Sequence, residues 1–539
     1  MSHPDEAAPK PPPRPIPRRP ARAPAAPTPA PARAAREPWL VSLSPILTVV
    51  GVFLVAAHAL AVRSQFDPIS RFLLAVPGLV LLAEVYRYAK YPGDRELPVN
   101  VISLVYYYVA FSFPAFFDIP FYDVNGPVAF SERAYALGAI AVGLGVLFLY
   151  AGMRAGELLG ARLQPAVVSV SPPPVVSASF AGATFWYSVI CTILTLIFVS
   201  APTIIPGEIG VFIIITISFE LAIGLTLAKA EYFQGKWSKY AGVILLLLGG
   251  LGGIIRGVLD PAIRLGVATI TGRWANTRRF AVRLVVGILA IYLVFQPIKQ
   301  DFRAAVWRAR DSSTVGYTQR IDAWVNALTD FWSREGGQTQ DDVKESAIGR
   351  LAELDPVLHA IDMVPIRVQP LQGVGWARIL TSPIPRVIWR DKPTTSSLLE
   401  QRYAVVFKRQ TEAGARGTAI LLPLLVDGYW NFEWLGIPIA CVVMGLWIGA
   451  CQKIFSGPHW ALRAMGVAHL ARLVAQGPVS GVYSGLFQHV SGLILACWVV
   501  YGIQKLLSRS AVTPKSFVGS RAQIPKRPGG ARGSTITTH

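Results

Sequence analysis

The sequence predicts an all-α polytopic membrane protein of about twelve transmembrane helices, interrupted by one large extracytoplasmic helical loop. Three observations predict it. Residues of the AVILMFWYC set make up 53% of the 539 residues and charged residues 15%, against about 25% charged in soluble domains. The apolar residues gather into blocks near the ~20 residues that cross a bilayer as a helix. Finally, one stretch, residues 299–418, holds 17 Lys/Arg and 14 Asp/Glu of the chain's 51 basic and 31 acidic residues. This pattern argues against a soluble enzyme. The cysteines Cys191, Cys441, Cys451 and Cys497 lie in or beside apolar blocks with no CxxC pair, so a disulfide-stapled secreted fold is not expected either.

The chain divides into a tail (1–38), a first membrane block (39–298), the charged loop (299–418), a second membrane block (419–508) and a basic tail (509–539). Of the net charge of +20, residues 1–38 contribute +4 and residues 505–539 contribute +7. Thirteen of the 42 prolines fall in residues 1–38. Such a segment cannot build a packed core. Its cations suit anionic lipid heads or a cytoplasmic position ahead of the first span. Nucleic-acid binding is not expected, because no folded domain accompanies the charge. The apolar segment that follows is span-length and lacks a small-residue cleavage site, unlike a signal peptide.

Apolar segments run at about 41–62, 72–89, 97–117, 134–151, 180–205, 207–228, 239–257, 258–272, 280–298, 434–452, 461–478 and 484–506. The block 258–272 is short and contains Arg264, and 461–478 contains Arg463 and Arg472; polar residues inside spans face protein or water. Basic turns at 86–96, 152–165, 229–239 and 272–279 alternate with the acid-bearing loops 118–132 and 201–208. The positive-inside rule then puts both termini in the cytoplasm and residues 299–418 outside. Within that loop Ile321, Trp324, Val325, Leu328, Phe331 and Trp332 share one helical face. This predicts a helix that either lies in the membrane interface or packs on the rest of the loop. A loop of such length is expected to be a folded cap.

Three constellations carry the chemistry. In the seventh apolar block Gly249, Gly253 and Gly257 form a small-residue ladder, with Arg256 on the face of Gly252 and Gly253. An arginine there suits a phosphate or snorkels to the headgroups. Next is the run Ile384-Pro385-Arg386-Val387-Ile388-Trp389-Arg390-Asp391-Lys392-Pro393, preceded by Gly373, Gly375, Trp376 and Arg378. Its prolines rigidify an extended cationic segment that could hold a diphosphate. Third, Asp427-Gly428-Tyr429-Trp430-Asn431-Phe432-Glu433-Trp434-Leu435-Gly436 places acids, an amide and aromatics at a span entrance. Aromatic faces and polar tips suit sugar rings; an interfacial aromatic belt explains the Trp and Tyr but not Asp427 and Asn431. No Walker A, HExxH, GxSxG or GxGxxG motif is present, and the seven histidines show no metal spacing. No cofactor and no metal are expected.

Taken together, these motifs resemble the oligosaccharide repeat-unit polymerases of bacterial envelopes, the O-antigen polymerases. The resemblance covers about residues 220–450. A Gly-rich span ends in Arg256-Gly257; Gly349-Arg350-Leu351-Ala352-Glu353-Leu354-Asp355 resembles the family's Arg-led helix. Gly373-Val374-Gly375-Trp376, the 384–393 run and the 427–436 segment follow in order. Two positions depart: Glu433 stands where the pattern usually has glycine, and Asp427 where it usually has glutamate.

The resemblance implies a GT-C-like, metal-independent glycosyltransferase of the bacterial inner membrane. It would join undecaprenyl-diphosphate-linked oligosaccharide units at the periplasmic face for envelope polysaccharide synthesis. Its partners would be that lipid, the bilayer, a chain-length regulator and a flippase. Arg256, Arg350, Arg378, Arg386 and Lys392 would grip the diphosphate. Trp389, Tyr429 and Asn431 would contact sugar, and Asp391, Asp427 or Glu433 would accept the acceptor hydroxyl's proton. An O-antigen ligase uses similar parts. A non-enzymatic flippase or transporter is the reading of another class, but the internal symmetry common in transporters is not visible here. A transferase using a lipid-phosphate sugar would show acids in its first outer loop, where residues 63–71 offer only Asp67.

Overall fold

The computed structural model describes residues 39–90, 97–173, 282–307, 317–333, 352–381, 395–417, 420–456, 459–473 and 479–510. It also describes the separate positions 183, 186, 187, 190, 266, 267, 270, 271, 349, 384 and 389. The apolar blocks expected at 207–228 and 239–257, with the Gly249–Gly257 ladder, lie outside the described residues.

The described chain is almost wholly helical. In order come α1 (Trp39–Ala61), α2 (Pro68–Lys90), α3 (Val99–Tyr107), α4 (Glu132–Val170), α5 (Val282–Trp307), α6 (Tyr317–Ser333), α7 (Leu354–Met363), α8 (Val374–Thr381), α9 (Thr395–Val406), α10 (Glu412–Gly417), α11 (Leu424–Ile454), α12 (Trp460–Leu473) and α13 (Val479–Ser510). A two-residue hairpin, β1 (Tyr122–Asp123) with β2 (Gly126–Pro127), pairs antiparallel before α4.

Among the described residues four segments are long and apolar enough to cross a membrane: Pro68–Lys90, Val99–Phe116, Glu132–Val170 and Leu424–Ile454. Shorter apolar stretches lie at Pro45–Ala61, Val285–Lys299 and Gly492–Ser508. The helical membrane class is therefore evident, with fewer qualifying spans than the twelve apolar blocks. Part of the difference is physical. The described part of α12, Trp460–Leu473, carries Arg463, which is buried in protein. Conversely, α4 has 39 residues, about 58 Å at ~1.5 Å per residue, far beyond a ~30 Å hydrocarbon core.

α4 corrects the basic turn expected at 152–165, which is helix throughout. Arg154 and Glu157 stay helical because they close a ring of four charges with α2. Arg87 meets Glu84 at 2.7 Å and Glu157 at 2.8 Å; Arg154 meets Glu84 at 2.8 Å and Glu157 at 3.1 Å. The Asn100 amide adds a 2.8 Å bond to Glu157. Glu84 is fully buried, and pairing is what makes that burial tolerable. The arginines counted as free loop charges are thus neutralised locally.

The centre of the fold is α4 against α11. Gly152, Gly156 and Gly160 bring α4 onto the backbone of Val442, Leu446 and Ala450, while Gly445 and Gly449 meet the backbone of Leu149 and Met153. Small residues every fourth position let two helices touch main chain to main chain, where apolar lipid leaves no hydrophobic drive. α2, α3 and α7 pack around this pair. Side chains such as Val52, Phe53, Ile69, Phe72, Leu147 and Phe148 remain exposed on the outside, as a lipid-facing surface requires.

Local chemistry sets the ends. Asp67 caps α2, accepting from the backbone N–H of Ile69 (2.9 Å) and Ser70 (3.0 Å). These bonds and that from the Ser70 hydroxyl hold its carboxyl below the usual range. The acid of the first loop is therefore a helix cap. Ser131 caps α4 through the Ala134 N–H at 3.1 Å, and the Gln452 side chain caps α3 through the Val99 N–H at 2.8 Å. α3 loosens into a π turn (Tyr108–Ser112) and a 3-10 turn (Phe113–Phe116). The change of ladder frees carbonyls: Ala110 O accepts from Glu353 N at 2.8 Å and Ala115 O from Arg63 N at 3.0 Å.

The described parts of the charged stretch are largely helical. α7 is buried along most of its length, and α6 packs on α5. The six apolar residues expected on one face of α6 split, however. Trp324 and Phe331 are buried, with Trp324 stacked 4.4 Å from Phe302, whereas Ile321, Val325 and Trp332 are exposed. A single neighbouring helix covers only part of a stripe that wide.

Candidate functional site

The site grows from a break in α11. The helix starts at Leu424, ten residues before the expected span, so Asp427 to Asn431 are helical. Phe432 (φ −141°, ψ 28°) and Glu433 (φ 50°, ψ −133°) interrupt it, and it resumes toward Ile454. Glu433 takes the positive-φ conformation that glycine adopts without cost. Gly428 and Gly436 lie on either side of the break with their backbones in contact, and a side chain at either would push the two halves apart. A broken helix inside an apolar span is tolerated only where protein or a cavity satisfies its backbone.

A second strained turn faces the first. Gln372 (φ 50°) and Gly373 (φ 83°) precede α8, and a Cβ on Gly373 would come 2.5 Å from the Phe432 ring. Non-glycine residues at positive φ store roughly 1–3 kcal/mol and persist only where the surroundings enforce them. Here the enforcement is visible. Leu371 N donates to Trp430 O at 2.7 Å, and Trp430 Nε1 donates to Gln369 O at 3.2 Å. The Trp376 ring meets Phe432 edge-on at 5.4 Å.

Asp427 ties these parts together. It is fully buried. Its Oδ2 accepts from Trp376 Nε1 on α8 (3.0 Å) and from the Val479 N–H at the start of α13 (2.9 Å), and its Oδ1 accepts from Asn431 Nδ2 (3.0 Å). Asn431 also donates to Asp427 O at 2.8 Å. One carboxylate thereby joins three helices.

Of the residues singled out by sequence, the structure brings Asp427, Asn431, Tyr429 and Glu433 together. Asn431 and Tyr429 are buried, with the Tyr429 hydroxyl 3.5 Å from Val364 O. Glu433 is partly exposed. Trp389 is exposed. Arg378 stands on α8 by its backbone. Arg256, Arg350, Arg386, Asp391 and Lys392 lie outside the described residues. Among the described residues no group of three His, Cys, Asp or Glu is placed to hold a metal ion.

The acids of the 349–355 motif turn inward. Asp355 pairs with Arg63 at 2.8 Å, both buried. Glu353 accepts from the Tyr106 hydroxyl at 2.7 Å, and burial pushes its carboxyl up to about 7. A carboxyl holding its proton more tightly when folded loses stability as pH rises from its unfolded value near 4.5 to about 7. The protein is therefore expected to be less thermostable in detergent at pH 8 than at pH 5. Glu353→Gln, which still accepts from Tyr106, should remove on the order of 3 kcal/mol of that dependence. Equal pH slopes for both proteins in thermal unfolding would show that Glu353 is not the titrating group.

Sequence reasoning passed over Trp376 as a site residue and Arg63 and Tyr106 altogether. Trp376 was visible as the residue closing Gly-x-Gly-Trp. Arg63 and Tyr106 carried no signal, because their partners lie 292 and 247 residues away.

Comparison with known proteins gives one family. No curated protein and no solved structure matches the chain. Residues 174–457, more than half of the 539, match the family described as Domain of unknown function (DUF8712). That range contains α5 to α11, and with them both strained turns and Asp427. The chain belongs to the DUF8712 family.

Proposed function

We propose that this protein is a membrane glycosyltransferase that polymerises lipid-diphosphate-linked oligosaccharide units. The observation that carries the reading is the paired strained turns at 372–373 and 432–433, which fall on the two described motifs resembling the polymerases. They leave one carboxylate, Glu433, accessible above a buried polar anchor. In this reading Asp427, saturated by three donors, positions Trp376 and α13. Glu433 accepts the proton of the acceptor hydroxyl as its oxygen attacks the donor's anomeric carbon. The anomeric C–O bond breaks and the polyprenyl diphosphate departs with the bonding electrons, its charge met by Arg256, Arg350, Arg378, Arg386 and Lys392. Trp389 supplies an exposed face for a sugar ring, while the buried Tyr429 and Asn431 brace the turn that carries Glu433.

Purified protein supplied with a lipid-linked repeat unit is expected to produce a ladder of longer glycans. Glu433→Gly retains the backbone that the turn requires but lacks the carboxylate. It should fold at least as well as the native protein and extend glycans roughly 100-fold more slowly, the scale of a lost general base. Full activity in Glu433→Gly would remove Glu433 from the chemistry. Transfer of the intact glycan to a different acceptor, without a ladder, would make the protein a ligase instead.

A further inference from the structure

The apolar residues of α6 point two ways, and α5 occupies only one of them. Trp324 stacks on Phe302 at 4.4 Å and meets Phe295 edge-on at 5.4 Å. Ala327 and Phe331 complete the buried contact, with Leu328 at its edge. Ile321, Val325 and Trp332 lie on the neighbouring face, at i, i+4 and i+11, and stay exposed, Trp332 by 66% against 7% for Trp324. The remaining face carries Asp322, Asn326 and Asp330, also exposed. At about 100° per residue these three sets divide the helix circumference into roughly equal parts.

The place of α6 along α5 says what meets the second face. α5 is apolar over Val285–Lys299, and Val286, Leu289, Ile291 and Leu293 are exposed there, as side chains facing lipid are. The contact with α6 runs from Val294 and Phe295, inside that stretch, to Phe302 and Val306, beyond it. α6 therefore stands at the level where α5 passes from apolar to polar surroundings. A helix at that level with an apolar side, a polar side and a tryptophan suits the boundary between acyl chains and headgroups. The hydroxyl beside the apolar stripe is already satisfied: Thr329 Oγ1 donates to Val325 O at 2.9 Å, so the stripe can enter lipid without stranding that donor.

We infer that Ile321, Val325 and Trp332 of α6 dock into the bilayer itself, at the acyl-chain side of the interface, with Asp322, Asn326 and Asp330 turned to water. The inference does not depend on polymerisation. It makes α6 the element that holds the charged stretch against the membrane surface: Trp324 fastens the helix to α5, and lipid covers the stripe beside it. The two placements that the sequence allows for this helix are realised together, by different faces.

The test is site-directed spin labelling of the full chain in nanodiscs of phosphatidylcholine and phosphatidylglycerol. Collision with oxygen, which partitions into lipid, is compared with collision with a water-soluble nickel chelate. Cys441, Cys451 and Cys497 are buried, and the unsubstituted chain supplies the labelling background. Labels on Ile321→Cys and Val325→Cys are expected to lose most of their access to the chelate and keep access to oxygen. Labels on the adjacent Asn326→Cys and on Asp330→Cys should keep access to the chelate. Equal chelate access in Val325→Cys and Asn326→Cys would place the stripe in water. Low access to both reagents in Val325→Cys would place it under protein, a second copy or another part of the chain. Either result would overturn the inference. Trp332→Phe gives a measure that needs no label. The emission it removes in plain lipid should already be largely quenched in nanodiscs of lipid brominated on the acyl chains. The same loss of emission in both lipids would count against the docking in the same way.

Discussion

Gly156→Leu and Gly449→Leu are each expected to prevent the protein from accumulating as a monodisperse species in membranes. At Gly156 even a Cβ would enter the Leu446 carbonyl, and at Gly449 it would enter the Met153 carbonyl. The obstructing atoms are main chain on a facing helix, so no rotamer change relieves the clash. Overpacking a close interface with one methyl costs about 1–3 kcal/mol, and a leucine must separate α4 from α11 altogether. That separation would also disturb the site, because Asp427 and Glu433 ride on α11. Gly287→Ala serves as the control: it lies on α5 with no described atom within 4 Å of its Cβ position, and should be neutral. Recovery and thermal unfolding of the four proteins in detergent decide the matter. Native-like recovery of Gly156→Leu would mean that the α4–α11 contact does not hold the fold.

The second large effect is expected at Arg63 and Asp355, the buried pair that joins the α1–α2 connection to α7. Removing one partner from a buried pair typically costs about 3–5 kcal/mol, because the survivor is left charged and unsolvated. The two deletions should not be equal. Burial raises the Asp355 carboxyl despite its arginine, so after Arg63→Met the acid can take up a proton and become neutral. Arginine has no such escape; after Asp355→Leu its charge stays buried. Asp355→Leu should therefore be the more damaging, most clearly at acidic pH. The double variant Arg63→Met with Asp355→Leu should recover most of the loss. Tm values for the set at pH 5.5 and 8 measure this, and strictly additive losses would mean that the pair is not coupled.

Much of this protein is legible residue by residue. α1 to α3 fall where apolar blocks of bilayer length predict them, and the charged stretch contains the helix expected around 321–332 as α6, whereas Ala352 and Glu353 of the Arg-led helix implied at 349–355 are not helical and α7 begins only at Leu354. The 427–436 segment reads as a site because acids and an amide at a span entrance lack an explanation in membrane anchoring. What escaped are features that depend on partners remote in the chain. The turn expected at 152–165 is helix because Glu84, some 70 residues away, accepts from Arg154. The stripe on α6 divides because α5 covers only one side of it.

Composition and periodicity suffice for the class of this molecule, since a membrane span is a local property: about 20 apolar residues and a self-satisfied backbone define it without reference to neighbours. The glutamate in a glycine's conformation and the aspartate that pins three helices are not local properties. Each depends on which distant donor, charge or backbone occupies the adjoining few ångströms, and only packing brings those groups within reach.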